Sequence, residues 1–253
     1  MTAYYNEIDP YAAQWLRNLM AAGHIAPGDV DGRSIVDVSA DDLRGYTQAH
    51  FFAGIGGWSL ALRLAGWSDD RPVWTGSCPC QPFSAAGKQL GTDDERHLWP
   101  VFFGLIRECV PPVVFGEQVA SKAALEWWDV VATDLETEGY STGAADLCAA
   151  SVGASHIRQR IFWVAANTGG VGNAGQGNAT SIGAGGQRWS HRPLDLRAVI
   201  DSPYGGGDGF SQPLIRSRID AVPSRVGRLR AYGIAIVPQV AAEFIGAVME
   251  LRP

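Results

Sequence analysis

Apolar and polar positions along the chain fall into blocks that read as strands, turns and helices. "AHFFAGIGGWSLALRLAGW" (49–67) predicts a buried strand ending in Phe51 and Phe52, a glycine turn through Gly54, Gly56 and Gly57, and an amphipathic helix. The helix takes its apolar side from Leu60, Leu62 and Leu64 with Ala61 and Ala65. The next apolar run leads into "TGSCPCQPFSAAGK" (75–88). A further run, "PPVVFGEQVAS" (111–121), ends in Glu117-Gln118-Val119. "GASHIRQRIFWVAA" (153–166) sets Arg158 and Arg160 two apart ahead of another apolar strand, a spacing that points both side chains to one face. From 167 to about 224 the pattern changes. "NTGGVGNAGQGNATSIGAGGQRWSHRPLDL" is glycine-rich with little apolar periodicity and reads as a loop-rich segment.

Composition bounds what these elements build. The 253 residues suffice for one large domain, or one with a small appendage, and 46% apolar with 18% charged residues suits a sizeable core. No apolar run approaches the roughly 20 residues of a membrane span. "MTAYYNEIDPYAAQWL" lacks the basic and apolar regions of a signal peptide. The expectation is a cytoplasmic protein with reduced cysteines. A net charge of −6 and a pI near 5.3 give no global basic footprint, which leaves room for a local basic cleft.

The cysteines raise the chemical question. A reducing compartment weakens a disulfide, and Cys78-x-Cys80 with scattered Cys109 and Cys148 lacks the paired spacings of a zinc site. The Cys-x-x-Cys of a redox pair is absent. Either a nucleophile is present or the cysteines are small buried hydrophobes. The strand, glycine loop and helix at 49–67 follow the logic of nucleotide cofactor sites, without the Gly-Lys-Ser/Thr of a phosphate loop. Glu117 stands where open α/β sheets place ligands, or is an exposed strand-end acid. The arginine pair serves a site or a solvated strand end.

In chain order, Phe-x-Gly-x-Gly-Gly, Pro-Cys-Gln-Pro-Phe-Ser, Glu-Gln-Val and His-x-Arg-x-Arg resemble the cytosine-C5 DNA methyltransferase family. That family carries Phe-x-Gly-x-Gly, Pro-Cys-Gln, Glu-Asn-Val and Gln-x-Arg-x-Arg. "RLRAYGIAIVPQVAAEFIGAVM" (228–249) resembles its last motif, Gly-Asn-Ala-Val-x-Pro. The resemblance implies an α/β fold, a doubly wound, mostly parallel, Rossmann-like sheet with S-adenosylmethionine as cofactor. It divides the chain into a catalytic and cofactor domain (1–166), a reduced target-recognition segment (167–224) and a C-terminal return (225–253). Cofactor contacts are expected at Phe52, Gly54, Gly56, Gly57, Trp58, Pro79 and Ile236. Double-stranded DNA is the expected partner of a monomer that needs no metal and no membrane. Gln81, Ser84, Arg188, Arg216 and Arg218 are expected to touch the nucleic acid, with Trp189, His191 and Arg192 as further candidates.

The family's ribose-binding acid does not follow the glycine loop here. "YYNEIDPYAAQWLRNLMAAG" (4–23) resembles the second motif instead, with Glu7 as that acid, Ile8 beside it and a helix from Pro10. "GRSIVDVSADDL" (32–43) resembles the third, with Ser34 where an aspartate is usual and Ile35 matching the aliphatic adenine contact. Asp29 is a competing choice for the acid. Residues 1–48 then hold the second and third strands ahead of the first, a permutation; the alternative is an unrelated helical appendage. Permutation sends the first helix to a strand on the other side, and a right-handed crossover would move that helix to a different sheet face.

The resemblance also implies the roles. The Cys80 thiolate adds to C6 of a flipped cytosine, Glu117 holds N3 and the exocyclic amine, Arg158 holds O2, and Arg160 supports a loop or a phosphate. Cys78 is a packing residue. Action on tRNA or a free cytosine nucleotide remains open. So does a silent nucleic-acid-binding relative, to which the departures at Ser34, Gln118, His156 and Ile234 point.

Overall fold

A computed structural model describes residues 2–79, 98–154, 158–167 and 235–251. Among them seven strands form one sheet: β1 (Thr2–Asn6), β2 (Gly28–Asp31), β3 (Tyr46–Phe51), β4 (Val73–Gly76), β5 (Val113–Val119), β6 (Tyr140–Cys148) and β7 (Gln159–Asn167), in spatial order β2-β1-β3-β4-β5-β7-β6. The first five are parallel, and β7 runs antiparallel between β5 and β6. The helices are α1 (Pro10–Ala21), α2 (Gly57–Leu64), α3 (Trp99–Cys109), α4 (Lys122–Thr137) and α5 (Pro238–Glu250). Both faces of the sheet are covered, as a doubly wound α/β fold requires. Residues 2–51 supply three adjacent strands and are part of the sheet, not an appendage beside it.

The front face carries α1, α2 and α5. Trp58, Ala61 and Leu62 of α2 pack with Val73, Val113, Phe115, Phe162 and Val164, and with Val240, Phe244 and Ile245 of α5. The apolar side of α2 is therefore not the expected Leu60-Leu62-Leu64 set; Leu64 is 55% exposed. Alternate positions share a strand face, whereas a helix groups residues three and four apart. On the back, Phe102 of α3 lies 5.0 Å from Phe51, and Trp99 lies 6.1 Å from Trp163. The Trp99 indole N–H donates to Asp134 Oδ2 at 2.8 Å, joining α3 to α4.

Polar groups fix β1 between its neighbours. The Tyr5 hydroxyl, fully buried, donates to Ala26 O at 2.7 Å and meets Ser59 Oγ at 2.9 Å, so one side chain joins β1 to α2 and to the chain beyond α1. The His50 ring stacks on Tyr5 at 4.8 Å, and its Nδ1 lies 2.8 Å from Thr75 Oγ1. Burial pushes His50 down to about 3, so this layer is neutral at physiological pH. Tyr4 donates to Asp31 Oδ2 at 2.7 Å on the opposite face.

The crossovers have unequal hands. β1–α1–β2 and β3–α2–β4 travel in opposite directions across the sheet, yet both helices lie on the front. The β2–β3 connection, through the short turns Ile35–Asp37 and Ala40–Leu43, and the β4–α3–β5 connection both pass over the back. Those two share the hand of α1, and α2 has the other. Taking the shared hand as the right-handed one that parallel crossovers overwhelmingly adopt, α2 makes a left-handed crossover. The expected move of this helix to the other face does not occur. Burying Trp58 and Leu62 against α5 and Phe115 holds it in front, and the chain connection takes the less usual hand.

Gly116 offers a test of the back face. A Cβ there would lie 2.1 Å from Trp163 Cζ2, whereas one at Gly104 in α3 would meet nothing within 4 Å. Gly116→Ala should cost about 1–3 kcal/mol by overpacking. Gly104→Ala should gain about 0.5–1 kcal/mol of helix stability. Urea midpoints moving in the same direction for both would contradict this packing.

Candidate active site

The C-terminal ends of β1, β3, β4 and β5 meet at one edge of the sheet, where open parallel sheets bind ligands. After β3 the chain turns through positive φ at Phe52 (52°), Gly54 (55°) and Gly56 (81°). α2 then starts at Gly57 with no side-chain cap, so its first N–H groups have no side chain closing them off. The half-buried Phe52 ring sits edge-on to Phe102, with centroids 6.2 Å apart. Glu7, 8% exposed at the end of β1, spans the loop. Its Oε2 accepts from Gly54 N at 2.6 Å and its Oε1 from Asp9 N at 2.8 Å.

Beside Glu7, Ile8 is 65% exposed and Val36 61% exposed, whereas Ile35 is buried with Tyr4 in the back core. The aliphatic surface on this rim is thus Ile8 with Val36, a residue the linear motif did not single out; the helical turn at 35–37 selects it. Ser34 caps that turn by accepting from Val36 N at 3.4 Å. Asp29 is engaged by the Tyr46 hydroxyl at 2.9 Å within the strand region. Asp31 lies nearer the strand end, and its Arg33 hydrogen bonds hold it down to about 2.

Trp58 is buried in the front core, and its indole N–H donates to Ser77 Oγ at 3.0 Å, which ties the glycine loop to the tip of β4. Cys78 is buried, and burial pushes its thiol far above the ordinary cysteine range, as befits a packing residue. Pro79 is exposed at the end of the described segment. Cys80, Gln81, Ser84, Arg188, Arg216 and Arg218 lie outside the described residues.

On β5, Glu117 is 7% exposed and pairs with Arg160, Oε1 to Nε at 2.6 Å. Burial outweighs the pull of Arg160 and Arg158 and raises this carboxyl to about 7. Gln118 Nε2 approaches Cys78 O at 3.5 Å, holding the tips of β4 and β5 together. Arg158 Nη2 donates to Ala235 O at 2.8 Å. The two arginines share a region, as their spacing implied, but Arg160 is the one held against Glu117. Ile236 is 8% exposed and lies over Gly57, where a Cβ would come within 2.7 Å of its Cγ1.

These features fit S-adenosylmethionine. The glycine backbone offers a cradle without side chains, an uncapped helix N-terminus suits a carboxylate, and Glu7 suits vicinal hydroxyls. No cluster of three or more potential metal ligands occurs among the described residues.

Parts of the chain are similar to known proteins. The profile of the C-5 cytosine-specific DNA methylase family matches residues 68–180, starting just past α2. Type II methyltransferase M.NgoMIV of Neisseria gonorrhoeae is 29% identical over 160 residues, 47% of this chain and 51% of that protein. Type II methyltransferase M.HhaI of Haemophilus parahaemolyticus is 27% identical over 171 residues, 51% and 52% of the two chains. The chain thus spans about half the length of the curated relatives it matches. Among solved structures, a DNMT2 variant of Spodoptera frugiperda superposes with a TM-score of 0.45 at 15% identity, over 70% of this chain and 45% of that one. A putative DNA modification methyltransferase from an E. coli prophage gives 0.43 at 19% identity, over 65% and 40%. The profile over residues 68–180 and the curated relatives, each covering about half of its length, make this part of the chain similar to C-5 cytosine-specific DNA methylases.

Proposed function

We propose that this protein transfers a methyl group to C5 of cytosine in double-stranded DNA, with Cys80 as nucleophile. The observation that carries the reading is the buried Glu117–Arg160 pair at the tip of β5, held beside the strand that leads into Pro79-Cys80-Gln81. S-adenosylmethionine, when bound, supplies the electrophilic methyl group. Glu7 and the N–H groups of the glycine loop and α2 would hold it, with Ile8 and Val36 along the rim.

The chain's own residues prepare the base. C5 of cytosine is a poor nucleophile, and addition of the Cys80 thiolate to C6 turns it into an enamine-like carbon. Glu117, held near neutrality by burial, donates a proton to N3 as charge enters the ring. Arg160, next to Glu117, is assigned O2 here in place of Arg158, to which the family resemblance gave that role. After methyl transfer, loss of the C5 proton expels Cys80 and restores the ring. C5 and C6 are inaccessible in a duplex, so the base must be flipped out at a cost of a few kcal/mol. A recognition segment at 167–224 belongs to the same proposal.

Three measurements test it. With labelled cofactor and duplex DNA, Cys80→Ser should abolish transfer and Cys78→Ser should keep it; transfer by the Cys80 variant would sink the nucleophile. Running tRNA and dCMP in parallel reports the substrate class. Glu117 must be protonated to donate, so kcat/KM should fall as pH rises through about 7. Glu117→Gln should lose that limb and about 10²–10⁴-fold in turnover. An unchanged alkaline limb in the Gln variant would assign it to another group. Glu7→Ala should weaken cofactor binding by about 1–3 kcal/mol in calorimetry. Equal affinity would remove Glu7 from the site.

A further inference from the structure

Arg158 occupies a different position from its neighbour. Arg160 is committed to Glu117, while Arg158 reaches 77 residues along the chain to the carbonyl of Ala235. The next residue, Ile236, is buried against the bare backbone of Gly57, where no side chain larger than hydrogen fits. Past Val237 the chain becomes α5, whose Phe244 packs 6.1 Å from Phe115 and 6.0 Å from Phe162. One guanidinium therefore fixes the few residues that lie between the start of β7 and the glycine loop.

We infer that Arg158 is a positioning residue: it anchors the 235–237 segment over Gly57 and so sets the shape of the cofactor loop, instead of holding the target base. This rests on the methyltransferase reading for its consequence, though not for its geometry. A charged donor to a carbonyl is a stronger bond than a neutral one, and the planar guanidinium reaches it in a defined direction that a lysine ammonium does not reproduce. Loss of the anchor frees Ile236 to lift, which uncovers Gly57 and the first turn of α2 together. The expected defect is in cofactor affinity, which loss of a ligand to the base would leave unchanged.

Hydrogen exchange on the full chain reads the anchor directly, with S-adenosylhomocysteine as binding probe. In Arg158→Gln, amides at 235–245 and 54–60 should exchange about ten-fold faster, the effect of one lost charged hydrogen bond. Probe Kd should rise at least about five-fold, the low end of coupling between sites. Arg158→Lys should fall between, Ile236→Ala should follow Arg158→Gln, and Arg44→Gln, at an exposed arginine, should leave both readouts unchanged. If the Gln variant fails to fold, the Lys and Ile236 variants decide. Wild-type exchange and affinity in Arg158→Gln, or equal loosening in Arg44→Gln, would overturn the inference. A wild-type chain that binds no probe would instead sink the methyltransferase reading, with the exchange comparison still standing.

Discussion

The Glu7 carboxylate is the contact on which the site depends, because it takes N–H groups from two parts of the chain that meet only in the folded sheet. One oxygen holds the glycine loop at Gly54, and the other holds the start of α1 at Asp9. A buried acceptor left without these donors would carry its desolvation cost unrelieved. The loop's three departures into positive φ, at alternate residues and one of them aromatic, need such outside support. The parallel pairing of β1 with β3 brings the acid and the loop together, and the Tyr5, Ser59 and His50 layer below keeps that pairing in register.

A second buried carboxylate does different work at the far side of the same edge. Glu7 has two backbone donors; Glu117 has a guanidinium partner and little else, and burial wins over that partner. Two acids at the ends of β1 and β5, with β3 and β4 between them, are thereby set apart, one held by backbone N–H groups and the other raised toward neutrality, the kind of division that environment alone produces.

Much of this was readable from the sequence because loops at ligand sites constrain residue identity more tightly than cores do. The glycine turn, the Pro-Cys-Gln element, Glu117 and the early acid Glu7 are each fixed by chemistry, and the sheet brings the described ones to a common edge. What sequence reading missed depends on three-dimensional facing. Leu64 seemed part of an apolar side because alternate leucines look like a pattern, but the helix turns it to solvent. The burial of the Trp58 ring against Phe115, in the front core, is likewise a matter of facing that the linear motif does not carry. Ile35 and Val36 differ by one position, and a single helical turn sends the first into the core. The arginine spacing predicted a shared face but said nothing about which guanidinium reaches Glu117.

The strand that carries Glu7 also precedes its partner in time. Glu7 stands 47 residues ahead of the Gly54 amide that it binds. At about 5–20 residues per second, a nascent chain displays that acid for roughly 2–9 s before its donor is synthesised. During that interval β1 has β2 on one side and an open edge on the other, with Ala3 and Tyr5 still uncovered by α2. An unpaired edge of this kind is a template for pairing with other chains. In this arrangement the Glu7–Gly54 contact closes only once β1, β2 and β3 have all been made, and its earliest residue waits longest in water.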